Sequence, residues 1–279
     1  MGIFSRFKIY LFFGCEKGEV MIRPLWIYAF LLCAASVPLA SGQNAAPTPK
    51  NLLTGMLAGL DSANIQDVTL TGNSEFIAGK TDETGTFTAQ AAVNGFHRLK
   101  LNLPAASRMD TRTVQNGKTQ GTWHDAQGVE HAVAEHNLLV DHSWFFPSIA
   151  LARLLQSSHS AFSFVGTETK DGISVEHYTM TDRVRPDGSL PNPKLAHLQQ
   201  IDLYLDSQTQ RPAILAFNLH PDSNALVDVP VEVHYSAYSQ IEGVWVPTRV
   251  QRYINSALNL ELTVQSAQFN TGFPESVAK

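Results

Sequence analysis

The stretch VPVEVHYSAYSQIEGVWVPTRVQRYINSALNLELTVQSAQF, residues 229–269, decides the fold. It holds three runs in which apolar side chains take every second place. Val229, Val231, Val233, Tyr235 and Ala237 form the first; Val244, Val246, Thr248 and Val250 the second; Leu258, Leu260, Leu262 and Val264 the third. A period of two marks a strand with one dry face, because successive side chains point to opposite sides of a sheet. Gly243 and the pair Asn255-Ser256 supply turn chemistry between the runs, so the stretch reads as a three-stranded antiparallel meander. Pro247 has no N–H to give a ladder and is expected at a bulge or an unpaired position. A sheet with one apolar face needs a cover, and the nature of that cover is the functional question.

Upstream the same period recurs. Val68, Leu70, Phe76 and Ala78 share one parity, as do Phe87, Ala89, Ala91 and Val93, and then Leu99, Leu101 and Leu103. Asn94-Gly95 between the last two runs is a strong hairpin signal. Two or three shorter, more polar strands are expected over 108–133, with turns at Asn116-Gly117 and Gln127-Gly128. Phe162 and Phe164, then Ile173 and Val175 after Asp171-Gly172, resume the pattern. Ile201, Leu203 and Leu205 open a further hairpin that returns through Ala213, Leu215, Phe217 and Leu219. Pro186, Pro191 and Pro193 make 184–194 an extended surface loop.

Two segments break the period. Leu52, Leu53, Met56, Leu57 and Leu60 recur at helical spacing behind Pro49, in a helix weakened by Gly55 and Gly59. Trp144, Phe145, Phe146, Ile149, Ala150, Leu151, Leu154 and Leu155 crowd a wide helical face, with Pro147 suited to a first turn. Ten or more antiparallel strands with only two or three helices give a mainly β (α+β) class, a strongly curved sheet or half-barrel with the helices as its lid. An ordinary core with the helices packed flush and no cavity fits the same periodicity.

At 279 residues, with 44% apolar and 16% charged residues, the chain can build a sizeable core and is not of the disordered class. The net charge is −5, and −7 once the four basic and two acidic residues of 1–42 are set aside. A mildly acidic surface argues against nucleic acid as a partner, since phosphate neutralisation needs a basic face. Both cysteines, Cys15 and Cys33, lie within 1–42, so the remainder must be held by packing rather than disulfides.

Residues 1–42 read as an export signal: Met21-Ile-Arg-Pro is a short positive region, Leu25 to Val37 an apolar core, and Ala40-Ser41-Gly42 a small-residue cleavage site. Met21 is an alternative start. A retained anchor is disfavoured because the 16 residues from Leu25 to Ala40 fall short of the ~20 a spanning helix needs. Residues 43–50, rich in Ala, Pro and Thr, read as a linker, and 51–279 as a single domain, periplasmic once exported.

The helix at Leu52 to Leu60 leading into the first strands, and the closing pattern Tyr235-Ser-Ala-Tyr238, Gly243-Val-Trp-Val-Pro247 and Leu260 to Phe269, resemble the LolA family of periplasmic lipoprotein carriers. The LppX-type lipid-binding proteins and the RseB/MucB-type sensor domain are similar. The resemblance covers most of the chain after the leader and implies an unclosed antiparallel barrel that holds acyl chains or other lipid beneath a helical lid. It also implies an arginine that touches the lid, with Arg98, Arg108 and Arg112 as candidates. The middle section is larger here than in that family and has fewer clear lid helices. On this reading Leu52, Met56, Leu60, Trp144, Phe145, Phe146 and Ile149 form the ligand-facing lid. Val68, Leu70, Leu99, Leu101, Val231 and Val233 line the concave sheet.

Little points to catalysis. His131-Ala-Val-Ala-Glu135-His136 has one residue too many for H-x-x-E-H and the wrong order for H-E-x-x-H, so no metal site is expected there. Asp141-His142-Ser143 has the residue types of a triad, but sequence neighbours point in different directions and no G-x-S-x-G elbow accompanies them. No phosphate-binding or dinucleotide fingerprint occurs, so no cofactor is expected. Three readings follow: a monomeric soluble periplasmic carrier or sensor of a hydrophobic ligand, acting with lipoproteins or envelope membrane proteins; an envelope interaction or assembly module of the same fold without cargo; and, last, a hydrolase.

Overall fold

A computed structural model describes residues 49–140, 143–156, 160–182 and 197–273. The leader 1–42, most of the 43–50 linker and the proline-bearing loop lie outside the described residues. Helix α1 (Pro49–Gly59) leads into β1 (Asp67–Ala78), β2 (Thr81–Ala92), β3 (His97–Asn102), β4 (Ser107–Gln115), β5 (Lys118–His124) and β6 (Glu130–Ala132). A 3-10 turn (Glu135–Leu138) and α2 (Pro147–Gln156) follow. The remaining strands are β7 (Ser160–Lys170), β8 (Ile173–Asp182), β9 (Ile201–Asp206), β10 (Pro212–Leu219), β11 (Val229–Ile241), β12 (Val244–Ile254) and β13 (Ala257–Phe269).

All 13 strands form one antiparallel sheet in the order β6-β5-β4-β3-β2-β1-β13-β12-β11-β10-β9-β8-β7. Two meanders, one from each half of the chain, join where β1 pairs with β13, and the sheet stays open because β6 and β7 are its two edges. That topology places α2. The chain must pass from the β6 edge to the β7 edge, and α2 with the segment before it packs on the inner face in doing so.

Register fixes which side chains share that face. Leu70 lies opposite Ala89, Ala89 opposite Leu99 and Leu99 opposite Asp110. In the other direction Leu262 faces Val250, Val250 faces Tyr235, Val233 faces Leu215 and Leu215 faces Leu203. The period-two residues of the 229–269 meander therefore sit on one dry surface, with two exceptions: Leu258, opposite Tyr253 beyond a register shift and outside the main core, and Ala237. Ala237 is exposed and takes a φ of 52°, and neither it nor Thr248 belongs to the β11–β12 pairing. Thr248 instead donates its hydroxyl to the Ala237 carbonyl at 2.5 Å. Pro247 sits beside this interruption, opposite Tyr238, where its missing N–H is tolerated.

A second irregularity lies at Thr71/Gly72 in β1. A Cβ at Gly72 would stand 2.0 Å from the Thr263 carbonyl oxygen, so only glycine lets β1 and β13 approach so closely. Helix α2 begins at Pro147, and Trp144 to Phe146 precede it in a turn closed by the Phe146 N–H to Ser143 carbonyl bond at 3.0 Å. They are thus not helical, as their spacing suggests, because Pro147 opens the first turn. A smaller apolar cluster of Val175, Tyr204, Ala213 and Ile214 lies apart from the main core.

Candidate functional site

The inner face and its cover form one continuous apolar cluster. From the cover come Leu53, Met56, Leu57 and Leu60 of α1, the aromatic triplet Trp144, Phe145 and Phe146, and Ile149 and Leu151 of α2. From the sheet come Val68, Leu70, Leu99, Leu101, Val231 and Val233 among others. Phe145, Phe146 and Ile149 are fully buried, and Leu52 packs against the cluster while partly exposed. Every residue expected in lid or groove is thus brought together in one buried cluster. Each fully buried Phe or Ile contributes about 1.5–3 kcal/mol to that packing. Polar links tie cover to sheet as well: the Tyr235 hydroxyl donates to the Trp144 carbonyl at 2.5 Å and the Trp245 N–H to the Leu60 carbonyl at 3.0 Å.

Towards the β6 edge the inner face turns polar. The pairing of β3 with β4 sets Arg108, Asp110 and Arg112 opposite Leu101, Leu99 and His97, so these charged residues continue the apolar face. Arg112 forms a forked ion pair with Asp110 and donates to the Thr111 carbonyl at 3.0 Å. Arg252 of β12 reaches the same place: it lies with its guanidinium carbon 4.9 Å from the Trp144 ring and donates to Asn259 Oδ1 at 2.7 Å. Asn259 in turn donates to the Ile77 carbonyl at 2.9 Å. Burial pushes the Asp110 carboxyl up from the ordinary aspartate range, against the pull of Arg112 and Arg252. Burial likewise brings Arg252 down to about 10, with Asp110 opposing.

Beside these charges is a recess of about 140 Å³ lined by Phe76, Leu99, Leu101, Arg108, Asp110, Trp123 and Arg252. Trp123 stacks on His131 at 4.3 Å along its far wall. An open depression of about 440 Å³ over β1, β2 and β13 is lined by Glu75, Thr84, Thr86, Glu261 and Thr263 and is too polar for an acyl chain.

Arg252, which is not among the arginines singled out from the sequence, meets the lid segment at Trp144. Arg108 lies over the Phe76 ring at 4.5 Å, Arg98 over Phe96 at 5.6 Å, and Arg112 serves Asp110. The sequence signal for this polar island was charge at period two on β4, in register with the apolar β3. Arg252 continues the parity of Val246 and Val250 along β12 and stands opposite Leu260, so the same period-two signal turns it inward. The residues weighed for hydrolysis disperse: His131 pairs with Asp125 at 3.0 Å, Glu135 with Lys118 at 3.0 Å, and His136 with the Pro221 carbonyl at 3.2 Å. Ser143 is buried, while Asp141 and His142 lie outside the described residues.

No protein-family model matches the chain, and no curated protein matches its sequence. Solved structures do. A DUF1329 family protein from Desulfovibrio piger is 12% identical over 83% of this chain and 95% of its own, with a TM-score of 0.52. A LolA superfamily protein from Nitrosomonas europaea is 13% identical over 84% of this chain and 98% of its own, with a TM-score of 0.51. The chain has a LolA-like fold.

Proposed function

We propose that this chain is an exported, monomeric carrier or sensor of a hydrophobic ligand, acyl chains of a lipid or lipoprotein, bound against the inner face beneath α1 and α2 in the periplasm. The observation that carries the reading is the cover itself. Two helices and an aromatic turn rest on a long apolar sheet face, and α2 lies on the crossing between the two free edges. The resemblance to a LolA superfamily protein points the same way.

The open recess of about 140 Å³ beside the charges is smaller than the ~300 Å³ at which ligand pockets begin, so on this reading an acyl chain reaches the apolar face by shifting the helices. A ~14-methylene chain buries on the order of 11 kcal/mol gross at about 0.8 per methylene. That magnitude can exceed both the loss of helix packing and the several kcal/mol of immobilisation cost. Binding rather than turnover is the role assigned to the site.

The full burial of Phe145, Phe146 and Ile149 without ligand also fits a second reading, an envelope interaction module without cargo. Native mass spectrometry of protein purified from its own periplasm, with titration of a fluorescent fatty acid, separates the two. A co-purifying lipid mass or saturable probe binding is expected. Bare protein that never binds the probe leaves the cargo-free module.

A further inference from the structure

Three polar side chains from separate segments converge at one end of β9, β10 and β11, far in sequence from the lid. His220 follows directly on β10 and Asp228 directly precedes β11, so they stand at the two ends of the loop joining those strands. His197 lies just before β9. The His220 Nε2 is 3.0 Å and the His197 Nε2 3.9 Å from the same oxygen, Asp228 Oδ1. One ligand atom from each residue falls within 4.8 Å of the others. A tetrahedral ion with bonds of ~2.0–2.2 Å holds its ligand atoms about 3.4 Å apart, within this range.

The scaffold around His220 is rigid. Its imidazole is fully buried, and the Asn137 side chain both accepts the His220 N–H at 2.9 Å and donates to the His220 carbonyl at 2.8 Å. The His220 Nδ1 meets no hydrogen-bond partner, so the ring's polar chemistry is directed through Nε2. The His197 ring stands edge-on to it at 5.4 Å, and that of His136 at 5.9 Å.

We propose that His197, His220 and Asp228 form a binding site for a transition-metal dication of the zinc class, with the fourth position left to water. Two imidazoles and one carboxylate suit such an ion; calcium and magnesium take oxygen ligands, and no thiolate is present to select copper(I). On binding, the His197 Nε2 gives up its 3.0 Å hydrogen bond to the Ala225 carbonyl and the His220 Nε2 its 3.0 Å bond to Asp228 Oδ1, and in each ring the proton moves to Nδ1. The ion would close the β10–β11 loop at its base and tie it to the start of β9. This staple suits a domain without cysteines, and it stands independently of any lipid cargo.

The test uses untagged full-length chain, stripped with chelator and freed of it, then titrated with Zn²⁺ against a chromophoric chelator and with Co²⁺ read by visible absorption. One equivalent of Zn²⁺ should bind, the Co²⁺ form should show tetrahedral bands, and Zn²⁺ should raise the melting temperature. His197→Ala and Asp228→Asn should each weaken binding at least about tenfold. Both side chains are partly exposed, so these variants should melt close to the metal-free wild type. His177→Ala, in an unrelated cluster with Glu168 and Asp202, should leave the affinity unchanged. No stoichiometric binding, or binding that survives the double variant, overturns the site.

Discussion

The Tyr235 hydroxyl on β11 donates to the backbone carbonyl of Trp144 at 2.5 Å, bridging 91 residues of sequence and fastening the floor of the sheet to the turn that opens α2. Removing it while keeping the ring isolates one fastening of the lid. Tyr235→Phe should cost about 0.5–1.5 kcal/mol of stability, or more if the buried carbonyl is left without a donor. If the helices are displaced by cargo, the same variant should also take up a fatty-acid probe faster. Urea titration and stopped-flow fluorescence read the two effects. A stability loss with unchanged uptake would show that this bond is not part of the opening step.

Arg252 and Trp144 form a second fastening, a cation over an indole face. Such contacts are worth about 0.5–2 kcal/mol when partly desolvated. A double-mutant cycle of Arg252→Met with Trp144→Leu should give a coupling energy in that range, measured by chemical denaturation. A coupling near zero would mean that the guanidinium serves Asn259 and Asp110 alone.

Two glycines make opposite predictions from geometry. Gly72→Ala drives a Cβ to 2.0 Å from a backbone oxygen and should destabilise by about 1–3 kcal/mol or more. Gly55→Ala, on the exposed side of α1 with nothing within 4 Å, should stabilise by about 1 kcal/mol through helix propensity. Thermal melts of the two variants suffice, and shifts of the same sign would contradict the register of β1 with β13 or the helical state of α1.

Most of the sheet was legible because its residues follow the local period. The 229–269 meander, the Asn94-Gly95 hairpin and the three short strands after Arg108 all appear where alternation and turn residues put them. The helical cover was legible for the same reason, except that Trp144 to Phe146 were read as helix when Pro147 in fact starts it. What local pattern could not carry was anything set by long-range register. The parity of Val246 and Val250 turns Arg252 inward, but Asp110 meets it only because β4 and β12 line the same face. His197, His220 and Asp228 share no short motif, since they come together only when β9, β10 and β11 are laid side by side.

On the outer side of β12 and β13, Arg249 binds Glu261 in a fork at 3.1 and 2.9 Å, and Gln251 adds a bond at 2.8 Å. The hydrogen bond from Arg249 holds the Glu261 carboxyl below the ordinary glutamate range. A depressed folded-state pKa contributes stability above the unfolded value, and that stability is lost as pH falls through the folded one. Glu261→Gln should therefore lower the urea midpoint at pH 7 by a small amount, because Arg249 is half-exposed and screened. The gap from wild type should close on acidification below the ordinary glutamate pKa. A gap that persists in acid would assign the loss to packing rather than charge.

Phe146 decides between cargo and core. Its ring is fully buried, lies 6.0 Å from that of Phe269, and belongs to the cluster that joins both helices to the sheet. An aspartate there would place an unpaired charge in a packed interior, so Phe146→Asp should unfold the chain and cannot report on binding. Phe146→Ala is the informative variant. It should cost about 3–5 kcal/mol, since the ring's transfer energy is lost and a void is left behind. If acyl chains bind against this face, part of a chain can occupy the void without first expelling the ring. The fatty-acid probe should then raise the melting temperature of Phe146→Ala by more than it raises that of wild type. Melting curves of both proteins across a probe series provide the comparison. Equal shifts would move the cargo away from Phe146, and no shift in either protein would leave the inner face as a closed core.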